Sequence, residues 1–312
     1  MDKLDLNLLK ELMKNSRTPL TQLAKKLKVS REVATYRLER LKKDGIILDF
    51  VTEIDIGKLG FVGAAVFVNV KATKQKEFKD FLAKTDFVSW VAELSGIWSF
   101  GLSIIGKTNE ELDQKFLQIY NKFKEDIIDH RFTLHRKSTF FYEKYFNSQF
   151  NQKINQKVID YKIDKKDKII LRELSKNSRI DSVSLASKIK LTAPAVANRI
   201  RKLEKSGQIV KHSIFVDVSK LGLFQYSIFA INKNIDEKEK LMNYLIQNKN
   251  ISFIAEYVGD PFVEFGLFVK DPYELRERLQ EIEENYPNNR VMEVSLFQKE
   301  FVSVGPPSCV FE

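Results

Sequence analysis

The chain has 312 residues, 43% hydrophobic and 30% charged, with a net charge of +10. These proportions suit a folded protein of two to four domains and exclude a disordered or fibrous chain. No run approaches the roughly 20 apolar residues of a membrane span, and the start lacks a signal peptide's basic and apolar regions, so a cytoplasmic protein without membrane contact is expected. The single cysteine, Cys309, excludes an intrachain disulfide and a cysteine-cluster metal site.

In chain order, three short helices come first. Leu8, Leu9 and Leu12 have helical spacing, and that helix stops near Asn15-Ser16-Arg17. Leu20, Leu23, Ala24 and Leu27 share one face of a second helix. After a break at Lys28-Val29-Ser30 a third is expected over about 31–43, capped by Ser30 and stopped at Asp44-Gly45. Ile46-Ile47-Leu48 and residues 51–55 then read as two short strands of a hairpin. Two helices across a tight turn followed by such a hairpin outline a winged helix-turn-helix.

Beyond Gly60 the pattern changes. A strand over 64–70, a helix over 74–84, strands over 88–94 and 99–105, a helix over 109–123 and a strand over 132–141 give the order βαββαβ. That order is a ferredoxin-like sandwich with helices on one sheet face. A polar linker rich in Asn, Gln and Lys spans 147–163.

Everything then recurs. Slid by 162 residues, 5–60 lies on 167–222 without a gap, and 21 of 56 positions are identical, including the run Lys-Asn-Ser-Arg at 14–17 and 176–179. Val183, Leu185, Ala186 and Ile189 carry the second copy's middle helix. Thr192 caps its third, Val196, Ile200 and Leu203 fill the inner face, Gly207 ends it, and 209–216 forms the wing. Strands over 226–231, 253–258, 263–269 and 291–301, with helices over 236–247 and 272–286, repeat the sandwich. The expected fold class is α+β in two repeats. Winged helix-turn-helix domains occupy 1–60 and 164–222, and ferredoxin-like domains occupy 61–146 and 223–312. Phe67, Trp90, Phe229 and Phe268 would lie bare on the sheets of lone sandwiches, so those faces need a partner sheet.

Charge follows the repeat: 15 basic against 6 acidic residues in 162–222, but 9 against 15 in 223–312. A basic small domain beside an acidic one suits a polyanion such as double-stranded DNA, against the alternative of a solvated lysine-rich surface. At about 100° per residue, Val33, Ala34, Leu38 and Leu41 face the core of the third helix. Arg31, Glu32, Thr35, Tyr36, Glu39, Lys42 and Lys43 are left for a major groove. Copy two shows Ala193, Pro194, Ala197, Asn198, Arg201 and Lys205 there, with Lys202 on the flank. Glu32 and Glu39 have become Pro194 and Arg201, so the second copy should be the stronger DNA contact. The candidate DNA-binding residues are Ser30, Arg31, Thr35, Tyr36, Arg37, Lys42 and Lys43 in copy one, and Thr192, Asn198, Arg199, Arg201, Lys202 and Lys205 in copy two. Arg37 and Arg199 sit inside the apolar arc. Pairing with an acid such as Glu11 or Glu173 stands equal to a DNA contact for these two.

The motif Val33, Arg37, Leu38, Leu41, Gly45, Ile47, repeated as Val196, Arg199, Ile200, Leu203, Gly207, Ile209, precedes a βαββαβ domain with a glycine turn. In this the chain resembles, twice over and nearly end to end, the leucine-responsive/AsnC (feast/famine) transcription regulators. The resemblance implies DNA binding by the first domain of each unit. It also implies pairing of the second (RAM) domains into dimers or homo-oligomers, with a small effector, often an amino acid, between their sheets. The effector residues it points to are Gly96, Ser99, Gly259, Asp260 and Glu264. Against this, the family's Gly-x-x-Asp turn reads Gly96-Ile97-Trp98-Ser99 in copy one and runs about two residues longer in copy two. A plain hairpin turn at Gly96 and Gly259 is the alternative.

The rival is an enzyme. Siroheme decarboxylases use the same two-domain fold, sometimes fused, and resemble two such units. Their His-Asn-Tyr-x-Arg type segment is missing here, where the histidines are His130, His135 and His212. Walker and GxGxxG loops are absent, and no cofactor or metal is expected. A third reading is an architectural protein that binds DNA without sequence choice. The sequence favours a regulator whose two sandwiches pair within the chain and hold the two reading heads as a pseudo-dimer.

Overall fold

The computed structural model describes residues 1–141, 144, 159–259, 263–302 and 305–312. Copy one runs α1 (Lys3–Lys14), α2 (Leu20–Leu27), α3 (Arg31–Lys43), β1 (Ile47–Ile54), β2 (Val62–Val70), α4 (Gln75–Leu82), β3 (Val88–Ser95), β4 (Phe100–Gly106), α5 (Asn109–Phe123) and β5 (Ile127–Phe140). Copy two runs α6 (Lys165–Lys176), α7 (Ser182–Ile189), α8 (Ala193–Lys205), β6 (Ile209–Val216), β7 (Phe224–Asn232), α9 (Ile235–Gln247), β8 (Ile251–Tyr257), β9 (Val263–Val269), α10 (Pro272–Asn285) and β10 (Asn289–Val302). These elements gather into two compact units, each drawing on both copies. One holds the described residues of Met1–Phe61, Asn151–Asp217 and Ser303–Glu312, the other those of Val62–Phe150 and Val218–Val302.

In the first unit each copy builds a three-helix core. Leu8, Leu9, Leu12, Leu23, Ala34, Leu38 and Leu41 are buried in one, and Ile170, Leu171, Leu174, Leu185, Val196, Ile200 and Leu203 in the other. Capping boxes set both starts: Asp2 with Asp5 at α1, Asp164 with Asp167 at α6. The expected wing hairpin is corrected. Residues 47–54 form one continuous strand, because Asp49-Phe50 has none of the Asn-Gly or Gly chemistry of a two-residue turn. β1 pairs antiparallel with β6 of the other copy. Val51 faces Ser213, its own repeat equivalent 162 residues on, so a local twofold axis passes between them.

The repeated Lys-Asn-Ser-Arg run surrounds that axis. Ser16 Oγ and Ser178 Oγ are 2.5 Å apart. The Ser16 amide donates to the His212 carbonyl at 3.1 Å and the Ser178 amide to the Phe50 carbonyl at 2.9 Å. Arg17 donates to the carbonyls of Ser178 and Ile180, and Arg179 to those of Ser16 and Thr18. The best-preserved stretch of the repeat is therefore a joint between copies. At the far end of this unit a 3-10 turn over Ser308–Phe311 packs on α6 and buries Val310 and Phe311.

In the second unit the sheets run β5-β2-β4-β3 and β10-β7-β9-β8. They join at both edges, β5 to β8 and β10 to β3, into a closed eight-stranded barrel. β5 begins at Ile127, five residues before the expected strand, and reaches Phe140, which faces Phe253 on β8. The faces that lone sandwiches would expose line the interior: Ala65, Phe67, Ala92, Leu94, Trp98, Phe229, Ala255 and Tyr257 form one buried cluster, with Trp90, Phe253 and Phe297 against it. Phe67 and Phe229, again 162 residues apart, meet edge to face at 4.9 Å. Phe268 is buried as well. Because the barrel closes, each of its strands has two neighbours, and the two sandwiches pair within the chain, as expected.

Candidate nucleic-acid interface

The turn between the second and third helices is forced in both copies by a lysine. Lys28 (φ 56°) and Lys190 (φ 52°) end α2 and α7 in the left-handed region, and among the described residues they are the non-glycine positions with positive φ. Each turn launches a third helix from a hydroxyl cap: Ser30 Oγ accepts from the Val33 amide at 3.3 Å, and Thr192 Oγ1 from the Ala195 amide at 3.4 Å. Val33 departs from the expected arc and is exposed. The inward position is Ala34, matched by Val196, so the motif valine of copy two faces the core while that of copy one does not.

The outward faces differ in free charge. Arg37 donates to Asp2 at 2.7 Å and to buried Asp5 at 2.8 Å, Arg40 to Asp5 at 2.5 Å, and Lys42 pairs with Glu39 at 2.9 Å. Hydrogen bonds from the Asp5 amide and from Arg37 hold the Asp2 carboxyl down at about 2. Arg199 likewise sits on Asp164 (2.9 Å) and buried Asp167 (2.8 Å), and its own pKa is raised by them. The acids are not those expected: Glu11 holds Lys14 and Lys26, and Glu173 holds Lys188. Both arginines thus brace the third helix against the first.

Arg201, Lys202 and Lys205 make no ion pair among the described residues. Arg201 reaches back weakly to the Ala197 carbonyl at 3.4 Å. Lys202 lies 5.6 Å from the ring centre of Tyr161, whose hydroxyl donates to Asp167 at 2.8 Å. Asn198 is exposed beside them; Arg31, Tyr36 and Lys43 are exposed on copy one, where Thr35 bonds its own helix at the Arg31 carbonyl, 2.8 Å away. Of the expected linker, 147–158 lies outside the described residues, and Tyr161 packs on α8. The role of Tyr161 carried no signal in the sequence, since it lies outside the stretches 5–60 and 167–222 that align between the copies.

The expected effector residues do not converge. Gly96 (φ 137°) and Ser99 edge a polar cavity of about 340 Å3 with Asn69, Gln75, Glu93 and Trp98. A Cβ on Gly96 would stand 2.9 Å from the Val294 carbonyl, so that glycine answers to the close approach of β10. Gly259 is a turn with open space around it, and Asp260 lies outside the described residues. Glu264 points into the barrel, where Ser227 Oγ donates to it at 2.5 Å and the Tyr257 hydroxyl also donates. The histidines are scattered. His130 lies against Phe116 and Tyr120, His135 lines the barrel near Ser103, and His212 accompanies Thr52 in the other unit. Among the described residues no group of three or more His, Cys, Asp or Glu is placed to hold a metal ion, and no helix is long and apolar enough to cross a membrane.

Burial raises the Glu264 carboxyl to about 7 despite its two donors, with Arg131 and Glu293 the nearby charges. The folded protein therefore keeps a proton that the unfolded chain, with an ordinary carboxyl near 4.5, releases. That contribution is full below the unfolded value and is lost as pH rises through 7, amounting to about 3 kcal/mol by pH 8. E264Q should match the parent near pH 4 and exceed it by about that amount at pH 8, read from urea midpoints. His135, pushed down to about 4 by burial, acts with the opposite sign but is common to both proteins. An equal difference between the two proteins at both pH values would count against the shifted carboxyl.

Known proteins share these features. A family model for winged helix-turn-helix DNA-binding matches residues 1–47 and again 163–210. A helix-turn-helix-type transcriptional regulator of Pyrococcus furiosus is 35% identical over 148 residues, 46% of this chain and 96% of that protein. The regulator LrpA of Bacillus subtilis is 43% identical over 100 residues, 29% of this chain and 71% of its own. These regulators correspond in length to one repeat. The solved structure of the siroheme decarboxylase NirDL superposes with a TM-score of 0.64 at 15% identity, covering 99% of this chain and 96% of the other. At that identity the likeness is one of fold.

Proposed function

The chain belongs to the leucine-responsive/AsnC family of helix-turn-helix transcription regulators, and on that premise we propose that it reads an asymmetric double-stranded DNA site with two unequal recognition helices on one polypeptide. The observation that carries the asymmetry is charge. Arg37 and Arg199 are held by acids alike, but copy one's Arg40 and Lys42 are held as well, whereas copy two's Arg201, Lys202 and Lys205 remain available for phosphate or guanine. In this reading α8 supplies the main grip through Asn198, Arg201, Lys202 and Lys205. The helix α3 adds a weaker, more selective contact through Ser30, Arg31, Thr35, Tyr36 and Lys43. Arg37 and Arg199 act as braces. The role is regulatory and not enzymatic. A small polar effector such as an amino acid has a candidate seat in the cavity beside Gly96.

Selection of bound DNA from a random pool, at stated salt, tests this. The expected product is two dissimilar half-sites at fixed spacing. Recovery of a perfect palindrome would sink the asymmetry, and sequence-indifferent binding would favour an architectural role.

A further inference from the structure

Arg131 and Glu293 are 162 residues apart, the repeat offset itself. The strand registers confirm that they are equivalents. Arg131 on β5 faces Phe67 on β2, and Glu293 on β10 faces Phe229 on β7, with Phe67 and Phe229 also 162 apart. One position of the repeat has thus become a cation in one copy and an anion in the other, and the two meet inside the barrel. Arg131 Nη1 donates to Glu293 Oε2 at 2.9 Å while its second terminal nitrogen takes the other carboxylate oxygen, a fork-to-fork pair. Trp98 Nε1 donates to the same Glu293 oxygen at 2.9 Å, and the guanidinium lies over the rings of Trp98 (5.3 Å) and Phe229 (5.6 Å). The Glu293 side chain is only 10% exposed.

We propose that Arg131 and Glu293 are the specificity pair that makes the two sandwiches of one chain choose each other over the identical sandwich of a second chain. A barrel closed by two first sandwiches would set Arg131 against Arg131, and one closed by two second sandwiches would set Glu293 against Glu293. Each puts like charges side by side at a part-buried site, with Arg131 28% and Glu293 10% exposed, where an unpaired charge costs more than at an open surface. Neighbouring positions have diverged in the same sense. Copy two's hydrogen-bonded Ser227, Tyr257 and Glu264 stand where copy one has Ala65, Leu94 and Gly101. The inner faces are therefore complementary and not self-complementary. The inference uses the intrachain barrel and is independent of DNA binding, so either can fail without the other.

The test uses full-length chains. R131E and E293R alone each place like charges in the barrel and should lower Tm by on the order of 10 °C. R131E/E293R, which reverses the pair, should recover more than half of that loss; the remainder reflects the Trp98 bond and ring contacts built for the native order. The decisive arm co-expresses the R131E chain and the E293R chain with different affinity tags. Each lacks a partner for itself, but the first sandwich of either matches the second sandwich of the other. Capture of one should then retain the other at equal stoichiometry, well above the exchange between two differently tagged unsubstituted chains. A double reversal as unstable as the singles, or co-capture no greater than that of the unsubstituted pair, overturns the proposal.

Discussion

Replacing Arg17 and Arg179 together by alanine should lower the stability of the helix-turn-helix unit by about 4 kcal/mol, since a hydrogen bond from a charged group contributes roughly 1.5 to 3 kcal/mol and each arginine spans the joint. Burial pulls both guanidinium groups below their ordinary pKa, which marks them as interior ties and not solvated surface charge. Each reaches two carbonyls of the opposite copy, so the double change strands four acceptors around the Ser16–Ser178 contact. The β1–β6 ladder remains, but the helices lose the clamp that fixes their angle to it. R17K/R179K, which keeps charge and loses the fork, should fall between. The functional readout is spacing. On DNA in which the two half-sites are moved apart by half a helical turn, the unsubstituted protein should lose affinity sharply and the double alanine variant much less. If stability falls while the spacing dependence stays as steep, the joint does not set the geometry of reading.

Local pattern made the helices, caps and βαββαβ order legible. Leu8, Leu9 and Leu12 have one spacing whatever they pack against, and Ser30 and Thr192 cap by local geometry. The intrachain pairing of the sandwiches was legible too, from faces that lone domains would leave bare. What failed were particular partners far apart in sequence. The strand at 47–54 looked like half of a hairpin because a one-copy reading has no other partner to offer, yet its ladder lies on β6. Val33 looked buried because its angle sets it beside Ala34 and Leu38, but it lies at the edge of the arc and is exposed, while the inward slot is 34, where alanine suffices. Asp2, Asp5, Asp164 and Asp167 gave no signal as the anchors of Arg37 and Arg199. Their capping role and their ion pairs lie 32 to 35 residues apart in sequence. The effector residues dispersed for a similar reason. Glu264 was grouped with the effector residues because it follows the Gly259 turn closely in sequence, while the alternation of β9 sends it into the barrel.

The recognition helices offer the sharpest contrast between copies. R201E should weaken binding to the selected site by about 100-fold at low salt and reduce the log–log salt slope by about one. T35E should cost less than about tenfold. Arg201 is exposed and held only by a 3.4 Å contact to its own helix, so reversal changes the field at the groove without disturbing a core. Thr35 stands on a face that already carries Glu32 and Glu39, and whose Arg37, Arg40 and Lys42 are engaged by carboxylates. A further acid there adds little to a surface that is already weakly cationic. Both variants should melt with the parent, which separates binding from folding. Anisotropy titrations across a salt series read affinity and slope together. Equal losses for the two variants would place the grip on both helices alike and remove the charge argument for unequal half-sites. A larger loss from T35E would transfer the main contact to α3, and with it the reading of Glu32 and Glu39 as acceptors for cytosine amines in place of repellers of phosphate.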